Sequence, residues 1–171
     1  MGNCTFLNLV NEIRYAMNAN LYNCALTLAL TLPDICGKAE YPCEKSSRKR
    51  YKKWFSFYAA PSFCCKAENA YTGDIVNFSW LSAEECWALR CSVLHSGNYR
   101  IERTKLKHII LHSHKDNRKN QSHFVRDSKF ADLDVILLCN ILCDSAEKYY
   151  TTCRHPHFII DNIAIIHFDW F

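Results

Sequence analysis

Ser82-Ala83-Glu84-Glu85-Cys86-Trp87-Ala88-Leu89-Arg90-Cys91-Ser92-Val93-Leu94-His95-Ser96-Gly97 reads as a helix with both of its ends written in. Ser82 followed three residues later by Glu85 is a capping box, in which each side chain serves a backbone N–H at the other's position. Cys86, Leu89 and Val93 make one apolar line with Trp87, Cys91 and Leu94 beside it, and Gly97 is the residue on which helices commonly end. The spacing predicts a helix over 82–95, and the rest of the chain is read outward from it.

Toward the N-terminus, Phe6, Leu9, Val10, Ile13 and Met17 keep helical spacing from Thr5 onward. Leu21 to Leu32 is apolar on nearly every side and predicts a central buried helix that Pro33 stops, with Gly37 free to turn the chain at positive φ. Ser46 or Ser47 caps a third helix that runs to about Tyr58. Residues 59–79 hold Pro61, Gly73 and Asp74 without a sustained period, which predicts a long loop or short turns.

Toward the C-terminus, Leu106, Ile109, Ile110 and Leu111 favour a strand, Asp116 to Asn120 a polar turn, and His123-Phe124-Val125 a returning strand. These predict a basic hairpin inserted at about 105–126. Asp132 to Tyr150 has the apolar spacing of a last long helix, whereas His157 to Ile160 and Ile163 to Phe168 are β-branched and aromatic, a β-leaning tail that either adds strands to the hairpin or covers the core. The fold class expected is mainly α, an up-and-down helical bundle with a small β-hairpin insertion, in one domain over 1–171.

Composition removes several alternatives. With 171 residues, 49% of them hydrophobic, the chain is long enough to bury a core without disulfides or a structural metal. Four glycines are too few for a turn-rich sandwich, and neither glycine-rich phosphate-binding pattern occurs. No apolar run reaches membrane-spanning length. Met1-Gly2-Asn3-Cys4 has the start of a lipidation signal, but Phe6 stands where that pattern needs Ser or Thr. Eleven cysteines without a C-x-x-C pair suit reduced thiols in a cytoplasmic protein with no membrane partner.

The net charge of +4 is unevenly laid out. Residues 44–54 carry six basic and one acidic residue, residues 100–129 nine and three, and the remainder six and thirteen. Two cationic segments on an acidic body suit a polyanion such as RNA, since lysine and arginine that neutralise phosphates release counterions. An ordinary solvated helix face accounts for the first segment nearly as well. Lys49, Lys53, Lys105, Lys107, Arg118 and Lys119 are the candidate RNA-binding residues.

Arg90 and His95 are polar groups on an otherwise apolar helix, which puts them among the candidate catalytic residues. At 100° per residue they lie about 140° apart, but His95 falls on the last turn, where its side chain can swing back. A ribonuclease that uses the RNA's own 2′-OH as nucleophile needs a group that moves protons near neutral pH and a fixed cation for the phosphate. Histidine and arginine are those groups. The spacing alone is unspecific, because Arg103 with His108 and Arg118 with His123 share it.

The stretch from Leu81 to Gly97, behind a helical N-terminal half, resembles the HEPN-domain proteins, whose signature is an arginine, four to six residues, then a histidine near a helix end. The resemblance implies a four- or five-helix bundle, a homodimer with both Arg–His pairs in one cleft, and metal-independent endoribonuclease activity of the toxin–antitoxin or antiphage-defence type. Arg90 would hold the phosphate and His95 handle the proton, with no metal and no cofactor; an antitoxin or defence-system protein is the implied partner. Active members usually carry Asn, Asp or His directly after the arginine, where this chain has Cys91. The alternative is an inactive HEPN-like dimeric binding module acting as antitoxin or sensor.

Other polar groups have competing readings. Arg90 also suits an ion pair with Glu12 or Asp34 at a helix contact. Cys139, Cys143, Cys153, His155 and His157 include zinc-ligand types, but Cys139 and Cys143 also fall on an apolar stripe. His108, His112 and His114 alternate on the expected strand as a metal trio or, more simply, one solvated face would, and Trp54, Trp80, Trp87 and Trp170 read as core anchors rather than base-stacking platforms.

Overall fold

A computed structural model describes residues 5–68, 73, 75–97, 101, 108–113, 124–126 and 130–163. The described part is mainly helical: α1 (Thr5–Asn18), α2 (Tyr22–Ala29), α3 (Leu32–Glu40), α4 (Ser47–Trp54), α5 (Ala83–Ser96), α6 (Val135–Thr152) and α7 (His157–Ile163). A π-helical turn (Phe55–Ala59) and a 3-10 turn (Ala60–Phe63) extend α4. The strands are β1 (Cys64–Glu68), β2 (Ile75–Ser79), β3 (His108–His112), β4 (Phe124–Arg126) and β5 (Phe130–Asp134). None of the described helices is long and apolar enough to cross a membrane.

The core is organised around α6, which packs against α1, α2, α3 and the π-turn. Leu138, Cys139, Leu142, Cys143, Ala146 and Tyr149 recur at helical spacing along it and are fully buried. Phe6, Val10 and Ile13 of α1 bury against this cluster, as do Tyr51, Trp54 and Phe55 from α4 and the turn after it. Cys139 and Cys143 thus serve as core residues, and among the described residues no three His, Cys, Asp or Glu side chains gather in a metal-holding arrangement.

Pro33 does not stop the long apolar segment as expected. It lies in the first turn of α3, where its missing N–H has no helical acceptor to lose, and Leu30 and Thr31 separate α2 from α3. Gly37 is accordingly helical rather than a turn residue. A Cβ there would lie 2.9 Å from the carbonyl oxygen of Arg50, so its role is the close approach of α3 to α4. Among the described residues the left-handed positions are Asn20, Gly73 and Gly97, with φ of 64°, 74° and 61°.

The expected hairpin at 105–126 is also corrected. β3 and β4 do not pair with each other; β5 lies between them, parallel to β3 and antiparallel to β4. Asp134, with extended backbone, caps α6 by accepting from the N–H groups of Ile136 and Leu137, so the helix expected from Asp132 starts at Val135 and the residues before it pair as β5 between β3 and β4. Ala131 and Leu133 of β5 are buried while Asp132 is not, the alternation of a half-buried strand. Within residues 59–79, read as loop, β1 and β2 form an antiparallel ladder from Cys64↔Ser79 to Glu68↔Ile75.

The tail is helical where the structure describes it. Ile159, Ile160 and Ile163 share one side of α7, and Asp161 accepts from the Phe6 N–H at 3.0 Å and the Tyr150 hydroxyl at 3.2 Å. Docking on α1 and α3 overrides the β preference of its isoleucines. Residues 164–171 of the expected tail lie outside the described residues.

Candidate active site

α5 is fixed at both ends by the features that identify it. The Glu85 N–H donates to Ser82 Oγ at 3.3 Å, the Ser82 N–H donates to Glu85 Oε2 at 2.9 Å, and Gly97 closes the helix. Its inner side rests on α4. Leu89 is buried, the Tyr51 hydroxyl meets Cys86 Sγ at 3.2 Å, and the Tyr51 and Trp87 rings meet edge-on with centroids 5.1 Å apart. Burial drives the Tyr51 and Cys86 pKa values upward, Cys86 to about 12, so both keep their protons near neutral pH.

The outer side carries the two candidate catalytic residues, and their side chains meet. Arg90 Nη1 lies 3.2 Å from His95 Nε2, while Arg90 Nε donates to Asp34 Oδ2 at 2.9 Å. The guanidinium carbon lies 5.2 Å from the centroid of the Trp87 ring. Asp34 stands in the first turn of α3 because that helix begins beside Pro33, so Pro33 sets the position of the arginine's partner. Of the two acidic partners expected for Arg90, Asp34 is the one it meets.

Arg90 and Asp34 retain 20% and 24% of their side-chain exposure, a pair partly withdrawn from water, while His95 is exposed. Burial pushes the Asp34 pKa above the usual carboxylate range, against the opposing pull of Arg90. Guanidinium has donors only, so its contact with His95 requires an unprotonated Nε2 and the proton on Nδ1. Among the described residues the remaining Arg90 N–H groups have no hydrogen-bond partner. The arrangement therefore offers a basic nitrogen beside a held cation.

The basic segment on α4 divides into paired and unpaired cations. Arg48 and Lys52 both bind Glu84, the latter at 2.6 Å, and Arg50 donates to the Glu44 carbonyl. Lys49 and Lys53 are exposed and have no ion-pair partner among the described residues; the Lys53 ammonium sits 4.1 Å from the centroid of the Tyr41 ring. Lys105, Lys107, Arg118 and Lys119 lie outside the described residues. His112 Nδ1 pairs with Asp132, while His114 is outside the described residues.

Two residues at this surface were not among the candidate site residues. Trp87, read as a core anchor, is half-buried and packs beside the Arg90 guanidinium. Phe57, in the π-turn, is 70% exposed and lies off the buried line that Tyr51, Trp54 and Phe55 define. At 100° per residue Phe57 lies more than 100° from the centre of that line, so the helical period was the signal that could have found it. No family model, curated protein or solved structure matches the chain.

Proposed function

We propose that the protein is a metal-independent endoribonuclease of the toxin or antiphage-defence type that cleaves RNA by 2′-OH transesterification, with Arg90 and His95 as its catalytic residues. The observation that carries this reading is the 3.2 Å approach of Arg90 to an exposed His95 across five residues of one helix. As the guanidinium turns from His95 to the phosphate, the freed lone pair of Nε2 takes the proton from the 2′-OH while that oxygen bonds to phosphorus. The bond from phosphorus to the 5′-oxygen breaks, and the leaving oxygen receives a proton from a second, protonated His95.

Arg90 directs its remaining N–H groups at the non-bridging phosphate oxygens, where charge builds up. Asp34 and Trp87 keep it in place. The second histidine comes from a homodimer of the HEPN kind. Supporting that pairing, Cys91 and Leu94, three residues apart on α5 and near Arg90, are left incompletely covered.

A second reading, an inactive dimeric module that binds RNA or a partner protein as antitoxin or sensor, is favoured by the Arg90–Asp34 bond and by Cys91 following the arginine. Cleavage of labelled RNA in EDTA by wild type and His95→Ala separates the two. Because His95 is exposed, its replacement leaves the fold intact. Loss of cleavage in the variant supports the nuclease reading, and a folded wild type without cleavage refutes it.

A further inference from the structure

The end of α3 and the α4 turn enclose a second surface with its own chemistry. Tyr41, Lys49, Lys52, Lys53, Ser56 and Phe57 line an open groove of about 520 Å³, within the size range of small-ligand sites. Its two exposed, unpaired cations and the protruding Phe57 ring provide charge at the rim and an aromatic face beside it. Lys53 is already held over Tyr41, so less side-chain freedom is lost when it meets an anion. Lys52 is tied to Glu84 and contributes mainly its alkyl stem.

An aromatic face next to cations suits a ligand that is itself an anion joined to a flat ring. We propose that this groove binds one unpaired nucleotide of the RNA strand, with the base stacked on Phe57 and the adjoining phosphates neutralised by Lys49 and Lys53. A base inside a duplex has both faces covered and is excluded, so the groove selects single-stranded segments. The inference takes its ligand class from the ribonuclease reading but concerns different residues. Glu84, which holds Lys52 at the groove, lies on α5, the helix that also carries Arg90.

The test is fluorescence anisotropy of the full chain with a labelled, uncleavable 2′-O-methyl single-stranded oligonucleotide, its duplex, and poly-glutamate as competitor, all in EDTA. Phe57→Ala should weaken single-strand binding roughly tenfold, while Phe57→Trp should restore it to within about twofold of wild type. Lys49→Gln with Lys53→Gln should lower the salt slope by about 1.4. These side chains are exposed, so the variants fold. The proposal is overturned if Phe57→Ala binds as wild type does, if duplex binds equally well, or if poly-glutamate displaces the oligonucleotide with the same dependence on Phe57. The expected binding pattern without cleavage of ordinary RNA leaves the groove standing and removes the nuclease reading. Cleavage that depends on His95 without that pattern removes the groove alone.

Discussion

Replacing Arg90 by alanine removes more than a candidate catalytic cation. The guanidinium donates to Asp34 at 2.9 Å and packs beside Trp87, and about four fifths of its side chain is out of water. A hydrogen bond between charged groups contributes about 1.5–3 kcal/mol and the ring contact about 0.5–1 kcal/mol. Arg90→Ala also leaves a carboxylate that burial already disfavours, giving an expected loss of about 2–4 kcal/mol at pH 7. Asp34→Asn in the same chain removes that stranded charge and should recover about 1–2 kcal/mol.

Urea denaturation of the four proteins in the double-mutant cycle measures the coupling directly. The sign of its pH dependence follows from the raised Asp34 pKa. The fold favours the protonated carboxyl, so that contribution is present at low pH and is lost as pH rises through the folded-state pKa. The Arg90→Ala penalty should therefore be larger at pH 7 than at pH 4.5. A coupling below about 0.5 kcal/mol, or a penalty that grows as pH falls, would refute the reasoning.

Ser82→Ala removes the hydroxyl that accepts from the Glu85 N–H, while the backbone N–H at 82 can still donate to Glu85, and should lower stability by about 1 kcal/mol, read as a lower urea midpoint with an unchanged slope. Gly37→Ala forces a Cβ to within 2.9 Å of the Arg50 carbonyl oxygen, and should cost about 1–3 kcal/mol by prising α3 from α4; an unchanged thermal midpoint contradicts that packing. Burial holds Cys86 and Cys143 at about 12, above the ordinary thiol value of 9.0. The unfolded chain ionises first, so stability present at pH 8 should decline by pH 10.5, and a flat midpoint over that range contradicts the assignment.

Helices whose ends are encoded locally were legible. Ser82, Glu85 and Gly97 delimit α5 because a cap uses side chains only three residues apart. Elements that depend on distant partners were not. β5 is a strand because β3 and β4 flank it, and α7 is helical because it docks on α1 and α3, neither of which its own residues announce. Pro33 is ambiguous for a physical reason, since the residue that ends one helix is equally suited to the first turn of the next.

At the candidate site the sequence supplied Arg90, His95 and two possible acids, whereas the choice of Asp34 required knowing that α3 starts beside Pro33. The surface cations show the same division. Lys49 and Lys53 were recognisable as basic residues, but that Arg48 and Lys52 are spoken for by Glu84 depends on the packing of α4 against α5.

Analysis of the product ends tests the central claim most directly. RNA incubated with wild-type protein in EDTA should yield fragments ending in 2′,3′-cyclic phosphate and beginning with 5′-OH, and 2′-O-methyl RNA of the same sequence should remain intact. Fragments carrying 3′-OH and 5′-phosphate ends, or cyclic-phosphate products formed equally well by His95→Ala, would contradict it.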